Sequence, residues 1–261
     1  MLEMVTEQWR GILAANDLAG FDQLWALEAG WFEPPNRRRG GWSGVSRYHL
    51  RRSDGSRVGV FIKRQENHGF RSLRHPLRGV PTFVREMSNI ERYRHCGVPA
   101  LEPVYYAWRE YQGRQQAILI TEELAGYRSL RDIEQDWHRE GRPSRGERLA
   151  VLHAVADLVR RMHACGLQHN CLYAKHVFLR CDQGEWTARV IDLEKTKRPW
   201  CRSAARVRDL STLSRYSTGW NRSERLRFFL RYLGQPRLTP AAKRLARRVL
   251  RDIRDKSPKE R

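Results

Sequence analysis

The sequence predicts an α+β fold of two lobes, a β-rich N-lobe followed by a mostly helical C-lobe. Three observations predict it. Between residues 45 and 126, short runs of alternating character are separated by turn residues. From residue 146 onward, apolar residues recur at helical spacing. Inside that helical half lies one late strand pair, "VFLRCDQGEWTARVID" (177–192). The expected organisation is an N-terminal helical extension (1–28), an N-lobe (29–121), a hinge (122–126), a helical C-lobe (127–255) and a frayed tail (256–261).

Residues 1–28 place Val5, Trp9, Leu13, Phe21, Leu24 and Trp25 at helical spacing. Glycines cluster at "RRRGGWSGVSRY" (37–48). "VSRYHLRRSDGSRVGVFIKRQ" (45–65) follows, two runs of partial alternation around Asp54-Gly55, which signals a hairpin. The basic stretch "ENHGFRSLRHPLRGVP" (66–81), with its Pro and Gly, reads as an irregular insert. Thr82 is placed to cap the next helix, where Phe83, Met87 and Ile90 share a face and Glu86 stands beside them. Two strand candidates lead to "AILITEELAG" (117–126). "GERLAVLHAVADLVRRMHACG" carries Leu149, Leu152, Val155, Val159 and Met162 on one side, and Gly166 is placed to end the helix. The late strand pair turns at Asp182-Gln183-Gly184, and the last 60 or so residues alternate Arg with Leu and Phe in helical patterns.

At 261 residues, with 40% hydrophobic content, nine Trp, nine Tyr and eight Phe, the chain can bury a full core. No apolar run approaches the roughly 18 residues of a membrane span. The start "MLEMVTEQWRGILAAND" lacks the layout of an export signal. Five cysteines, odd in number and without a CxxC pair, point to reduced thiols and a cytoplasmic setting. Fifty Lys and Arg against 29 Asp and Glu give a net charge of +21, spread along the chain. Such a surface seeks a polyanion: nucleic acid, an anionic membrane face or a phosphorylated glycan. The absence of a zinc-finger, RNP or helix-turn-helix signature makes nucleic acid the minor reading.

An ordered set of residues carries the chemistry. "GGWSG" (40–44), with Gly41, Ser43 and Gly44, sits where a Gly-rich connection between strands would let backbone N–H groups cover nucleotide phosphates. A tight strand connection would use the same glycines. Lys63 ends "VGVFIK", where a lysine reaches the α- and β-phosphates and pairs with a Glu of the following helix; Glu86 is the natural partner. In "ILITEELAGYRSL" (118–130), backbone groups of Glu122–Leu124 are placed to bond an adenine edge. The helix 146–165 delivers the chain to "GLQHNCLYAKHVFLR" (166–180), which reads as the catalytic loop of a protein-kinase-like enzyme. Asp192, ending a β-branched strand in "VIDLEK", is placed to hold Mg²⁺ against the phosphates. His163, His169, His176, Cys165 and Cys171 lie close in sequence, but their spacings fit no standard zinc pattern.

With those residues in view, the chain resembles the Kdo/WaaP family of lipopolysaccharide-core kinases, and within it the InaA-like proteins. The resemblance runs over about 24–216 and is carried by "EPPNRRRGGWSGV", "FIKRQ", "PTFVREMSNIERYRHCGVPALEPV", "ITEELAGY", "QHNCLYAKHVFL" and "IDLEKTKR". It implies a protein-kinase-like bilobal fold with nucleotide in the cleft between the lobes. It also implies location in the cytoplasm of a Gram-negative cell and phosphorylation of inner-core sugars of lipopolysaccharide from ATP with Mg²⁺. By position, Lys63, Glu86, His169, His176 and Asp192 match the family's motif residues, with His176 in a metal-binding place. Asp209 matches a helix Asp that braces the catalytic loop.

One departure divides the functional readings. Active relatives of the core-heptose kinase type read His-Arg-Asp where this chain has His169, Asn170 and Cys171. An ionised Asp orients the attacking hydroxyl and takes its proton late, whereas a thiol with pKa near 8.5 is mostly neutral and a poor acceptor. Phosphoryl transfer rests chiefly on positioning and charge stabilisation, so loss of the base slows it without removing its logic. The first expectation is therefore a phosphotransferase using ATP and Mg²⁺, with His169, Cys171 and Asp192 at its catalytic centre. The rival is a catalytically impaired pseudokinase serving as a regulatory or stress-related scaffold, and the third reading is a polyanion-binding protein. The expected acceptor is anionic, and Arg37–Arg39, Arg71, Arg74, Arg78 and the Arg-rich C-terminal helices are placed to hold it or the inner face of the cytoplasmic membrane.

Overall fold

The structure is a computed structural model and describes residues 2–38, 40–72 and 75–256. It divides into two compact units, Met1–Glu91 with Leu101–Ala125, and Arg92–Ala100 with Gly126–Arg261.

The first unit is built on a six-stranded antiparallel sheet. Its strands are β1 (Leu2–Val5), β2 (Trp31–Arg38), β3 (Gly41–Arg51), β4 (Arg57–Glu66), β7 (Pro103–Tyr111) and β8 (Arg114–Glu122), in the order β1-β7-β8-β4-β3-β2. The β3–β4 hairpin turns where expected: Gly55 takes φ +80°, and Asp54 Oδ1 accepts from Ser56 N at 2.8 Å. Alternation along β4 sends Val58, Val60 and Ile62 to one face, where they pack with α1 (Glu7–Ala14) and α2 (Phe21–Ala26) through Trp9, Leu13, Phe21 and Leu24. Phe61 and Lys63, one step out of phase, belong to the opposite face.

Two segments differ from the sequence reading. Residues 2–5 are a strand, not part of a helix: Leu2–Val5 pair with Trp108–Tyr105 along the edge of the sheet. Thr6 continues the attachment, N–H to Val104 O and hydroxyl to Pro103 O. Four residues show too little periodicity to reveal a strand, and the open edge of β7 supplies the partners that local propensity does not. With α1 and α2 buried against the sheet, the N-terminal stretch is one of the unit's layers. Residues 66–81, read as an irregular insert, contain the antiparallel pair β5 (Gly69–Ser72) and β6 (His75–Pro81). Gly69 and Pro81 stand opposite each other at the end of that ladder, which is where such residues are tolerated.

The helix α3 (Thr82–His95) begins in the first unit and ends in the second. The Thr82 hydroxyl donates to Gln65 Oε1 at 2.8 Å, which ties the helix start to β4. The second unit contains β9 (Arg128–Ser129), α4 (Leu130–Arg139), α5 (Arg145–Ala164), β10 (Val177–Asp182), β11 (Glu185–Val190), α6 (Arg202–Tyr216), α7 (Arg222–Leu233) and α8 (Pro240–Lys256). Short 3₁₀ turns cover Ala174–His176 and Leu193–Lys195. Ser144 caps α5 by accepting from Glu147 N. At its far end Gly166 takes φ +69°, with Gly166 N donating to His163 O and Leu167 N to Met162 O, so the chain turns sharply out of the helix. Leu152, Val155, Val159 and Met162 are buried, as the spacing predicts. The β10–β11 hairpin turns through Gln183 and Gly184, both at positive φ. Lys256 closes α8, and the rest of the expected tail, 257–261, lies outside the described residues. No described helix is long and apolar enough to cross a membrane.

Candidate functional site

In the first unit, Lys63 Nζ meets Glu86 Oε1 at 2.5 Å. The strand ladder fixes Lys63 opposite Val45 on one side and Leu119 on the other. Glu86 lies on the α3 face that also buries Phe83 and Met87. Its side chain is 4% exposed and that of Lys63 20%, so the carboxylate is held inside by a lysine whose other surroundings are partly open. On the same sheet face, Phe61 stands edge-on to Phe32 at 5.2 Å, and Phe32 is exposed. This pair went unnoticed in the sequence; its one signal is the position of Phe61 two residues before Lys63.

The expected nucleotide-binding glycines have structural occupations of their own. Gly41, Ser43 and Gly44 lie within β3, and the turn before it falls at Gly40. A Cβ on Gly41 would stand 2.4 Å from backbone atoms of Glu66 and Asn67, and one on Gly44 would stand 2.5 Å from the Trp31 ring. Close packing alone accounts for both residues. In the 122–126 segment, Glu122 N donates to Glu102 O and Glu123 N to Gly59 O. Leu124 N, like Gly126 N, has no hydrogen-bond partner among the described residues, which leaves it as an open donor.

In the second unit, Asp209 organises the 166–176 loop. Its carboxylate is fully buried and accepts from His169 N at 2.8 Å and Asn170 N at 2.9 Å. His163 Nε2 reaches the same carboxylate at 3.2 Å, and its Nδ1 meets the Tyr232 hydroxyl at 2.9 Å. One helix-borne carboxylate thus satisfies two successive backbone donors of the loop, where Asn170 adopts φ +67°. The loop is pinned a second time by Gln168 and Lys197, which exchange backbone hydrogen bonds at 2.9 and 3.0 Å.

His169 is buried with both ring nitrogens engaged. Nε2 faces Ile191 O at 2.9 Å and must carry the proton, because a carbonyl only accepts; Nδ1 is then the acceptor for Cys171 N at 3.3 Å. Burial lowers its pKa, in keeping with a neutral ring whose Nδ1 accepts. The expected catalytic role for His169 therefore gives way to a positioning one: neither nitrogen is free to take a proton from an acceptor. His176 Nδ1 donates to Cys171 O at 2.9 Å and lies 3.5 Å from Asp192 Oδ2, and burial lowers its pKa as well. Tyr173 stacks edge-on to His176 at 5.4 Å and to Tyr216 at 4.7 Å.

Cys171 is buried, and burial pushes its thiol pKa up. The positive charge of Lys195 pulls the other way, while Asp192 adds to the rise. Lys195 is a contributor that sequence reading missed, although it lies within the quoted "VIDLEK". Asp192 caps the 3₁₀ turn in a left-handed conformation, φ 60° and ψ 59°, with its side chain 40% exposed. A non-glycine residue held there stores strain of about 1 kcal/mol. Its half-exposed carboxylate fits a hard cation such as Mg²⁺, which takes one or two carboxylates and completes its shell with water and phosphate oxygens. His176 suits that role less well, since nitrogen is a poorer ligand for this ion and Nδ1 already serves Cys171 O. Among the described residues no group of three or more His, Cys, Asp and Glu could hold a metal ion.

The sequence profile of the lipopolysaccharide kinase (Kdo/WaaP) family matches residues 22–232. The chain is 35% identical to Protein InaA of Escherichia coli (strain K12) over 199 residues, 75% of this chain and 87% of that protein. It is 32% identical to the lipopolysaccharide core heptose(I) kinase WaaP of Pseudomonas aeruginosa over 165 residues, 58% of this chain and 59% of that protein. A solved structure described as WaaP in complex with acyl carrier protein superposes with a TM-score of 0.68 at 25% identity, covering 98% of this chain and 99% of that one. The α+β, kinase-like fold class predicted from the sequence is the one found. The chain belongs to the lipopolysaccharide kinase (Kdo/WaaP) family.

Proposed function

We propose that this chain is a phosphotransferase that moves the γ-phosphoryl group of ATP, with Mg²⁺, to a sugar hydroxyl of the lipopolysaccharide inner core. The observation that carries the reading is the Lys63–Glu86 pair. A carboxylate this deeply buried is costly to keep, and the lysine it holds presents its ammonium from the middle of a strand, the arrangement that grips nucleotide phosphates. Phe32 and Phe61 offer a nucleobase an aromatic surface on the same sheet face, and Leu124 N offers it a donor. Asp192 would hold Mg²⁺, which supplies charge neutralisation at the phosphates. His176 orients the loop and Asp192, His169 locks the loop backbone, and Asp209 braces both.

In the transfer, a bond forms between the acceptor oxygen and the γ-phosphorus, the bond from that phosphorus to the bridging oxygen breaks, and ADP leaves. The hydroxyl proton ends on an oxygen of the transferred group or on water. Cys171 does not take it, because a buried thiol with a raised pKa is a weak base at neutral pH. Lys195 beside it contributes positive charge near the phosphoryl group as charge develops there. The expected location is cytoplasmic, peripheral on the inner face of the cytoplasmic membrane, where an anionic acceptor is within reach.

Cys171 itself favours a second reading, a catalytically impaired scaffold that keeps the fold and not the turnover. One experiment separates the two: transfer of labelled phosphate from ATP to purified inner-core lipopolysaccharide by wild type, Cys171→Asp and Asp192→Ala. The phosphotransferase reading expects slow wild-type transfer, a gain of about 10²-fold or more in Cys171→Asp, as befits a restored base, and none in Asp192→Ala. Absence of transfer in both wild type and Cys171→Asp would support the scaffold. Binding of nucleic acid that is steeply salt-dependent and indifferent to Lys63 and Asp192 would support the polyanion-binding reading.

A further inference from the structure

We propose that α8 and the loop before α6 form a docking face for an anionic lipid bilayer. The exposed side of α8 carries Lys243, Arg244, Arg247, Arg251 and Arg254 within an arc of about 100°. The row is about 16 Å long at the helical rise. None of the five has an acidic partner among the described residues. Like charges at such spacing repel and weaken the helix that bears them. The helix is nonetheless anchored from its other side, where Asp252 accepts from the Ser211 hydroxyl and Ala242 and Val249 are buried. The cationic row is therefore held outward; Asp255, at its edge, is the nearest acidic residue of the helix and forms no ion pair with the five.

A second, independent feature lies beside it. Trp200 is fully exposed, at a relative exposure of 106%; the next most exposed Trp is Trp31, at 42%. It sits in the loop "KRPWCR" (197–202), among the exposed cations Lys197, Arg198 and Arg202. Arg248, on the flank of the α8 row, donates to the hydroxyl of Ser203, three residues past Trp200. That contact sets the Trp200 loop against the edge of the cationic face. Leu250, 61% exposed, flanks the opposite edge of the same row.

Cations in a row with an indole and an aliphatic side chain beside them match the boundary of an anionic bilayer. Headgroups take the charges, and the apolar groups enter the interface, where Trp is favoured. Duplex nucleic acid, which Arg and Lys can grip through its phosphates, is an outcome of the test below. A single-strand binder stacks bases on several aromatics along a groove, a pattern the convex outward face of α8 lacks. Nor does α8 insert as an amphipathic helix would, since its apolar side packs on α6. Through the Gln168–Lys197 backbone pair, the Trp200 loop is also tied to the segment leading to His169–Cys171, so a docked membrane would lie beside that loop.

Docking needs neither nucleotide nor acceptor, so its failure and that of the phosphotransferase reading are separable. The test is co-sedimentation of the full chain with vesicles of phosphatidylcholine alone and of phosphatidylcholine mixed with phosphatidylglycerol, across a salt series. The expected result is binding to the anionic vesicles only, weakened by salt. It falls on the order of a hundredfold in Arg247→Gln/Arg251→Gln/Arg254→Gln and several-fold in Trp200→Ser, with both variants melting like wild type. Wild type should also show a blue shift in tryptophan emission on these vesicles that Trp200→Ser lacks. Equal binding to both kinds of vesicle would overturn the proposal, as would anionic binding unchanged in both variants. Tight binding to duplex RNA or to an acidic protein with none to vesicles would overturn it too. If the triple variant fails to fold, the vesicle-composition dependence and the Trp200→Ser comparison still decide.

Discussion

Replacing Asp209 by Asn tests whether one buried carboxylate holds the loop that carries Cys171. In the native chain its two oxygens accept from His169 N and Asn170 N at 2.8 and 2.9 Å, with His163 Nε2 at 3.2 Å. Asparagine keeps one acceptor and turns an NH₂ group toward the other donor. The change removes one charge-assisted hydrogen bond, worth about 1.5–3 kcal/mol, and leaves a buried N–H unsatisfied at about 1–3 kcal/mol. Together they destabilise the chain by about 3 kcal/mol or more, a large share of the 5–15 kcal/mol typical of a folded protein. At about 2–4 °C per kcal/mol, the melting temperature falls by about 6–12 °C. The assay is thermal and urea unfolding by circular dichroism, with hydrogen exchange of the 169–171 amides read in parallel. Exchange at those amides should accelerate more than at the α5 core. A variant that melts with wild type and protects residues 169–171 equally well would refute the bracing role.

Glu134 gives a pH-dependent prediction. It is buried in α4, its Oε2 accepts from Thr218 N, and burial raises its pKa to about 7 from the ordinary 4.5. A folded-state pKa above the unfolded one means stability that is full below about 4.5 and lost as pH rises through 7. Glu134→Gln should therefore leave stability nearly unchanged at pH 5 and add about 2–3 kcal/mol at pH 8; an equal effect at both pH values would remove the account. Gly41→Ala should destabilise by about 1–3 kcal/mol even without nucleotide, because its Cβ meets the Glu66–Asn67 backbone. A Gly41→Ala variant of unchanged stability but weakened ATP binding would instead assign Gly41 to the phosphates.

Much of the fold was legible because its signals are local. The turns at Asp54-Gly55 and Gln183-Gly184, the apolar stripe of α5 and the Gly166 terminus need only neighbouring residues to be read. What escaped depends on distant partners. Residues 2–5 are a strand because the edge of β7 is open to them, and the β5–β6 hairpin is masked by its Pro and Gly. The same divide runs through the candidate site. Lys63, Glu86 and Asp209 were singled out by their motif positions; Lys63 and Glu86 meet, and the Asp209 carboxylate accepts from the loop backbone. The reassignment of His169 could not be read from sequence, because it follows from Ile191 O and Cys171 N occupying its two nitrogens. Gly41 and Gly44 show the converse: residues that fit a ligand motif and have sufficient packing reasons without one.

The phosphotransferase account is tested most directly by calorimetric titration of ATP, with and without Mg²⁺, into wild type, Lys63→Ala and Asp192→Ala. It requires no knowledge of the acceptor and no turnover, so Cys171 does not blur the result. The account predicts saturable binding by wild type that strengthens with Mg²⁺, is weakened by loss of Lys63, and no longer responds to the metal once Asp192 is gone. No binding by wild type, or binding that ignores the metal and both substitutions, would contradict it.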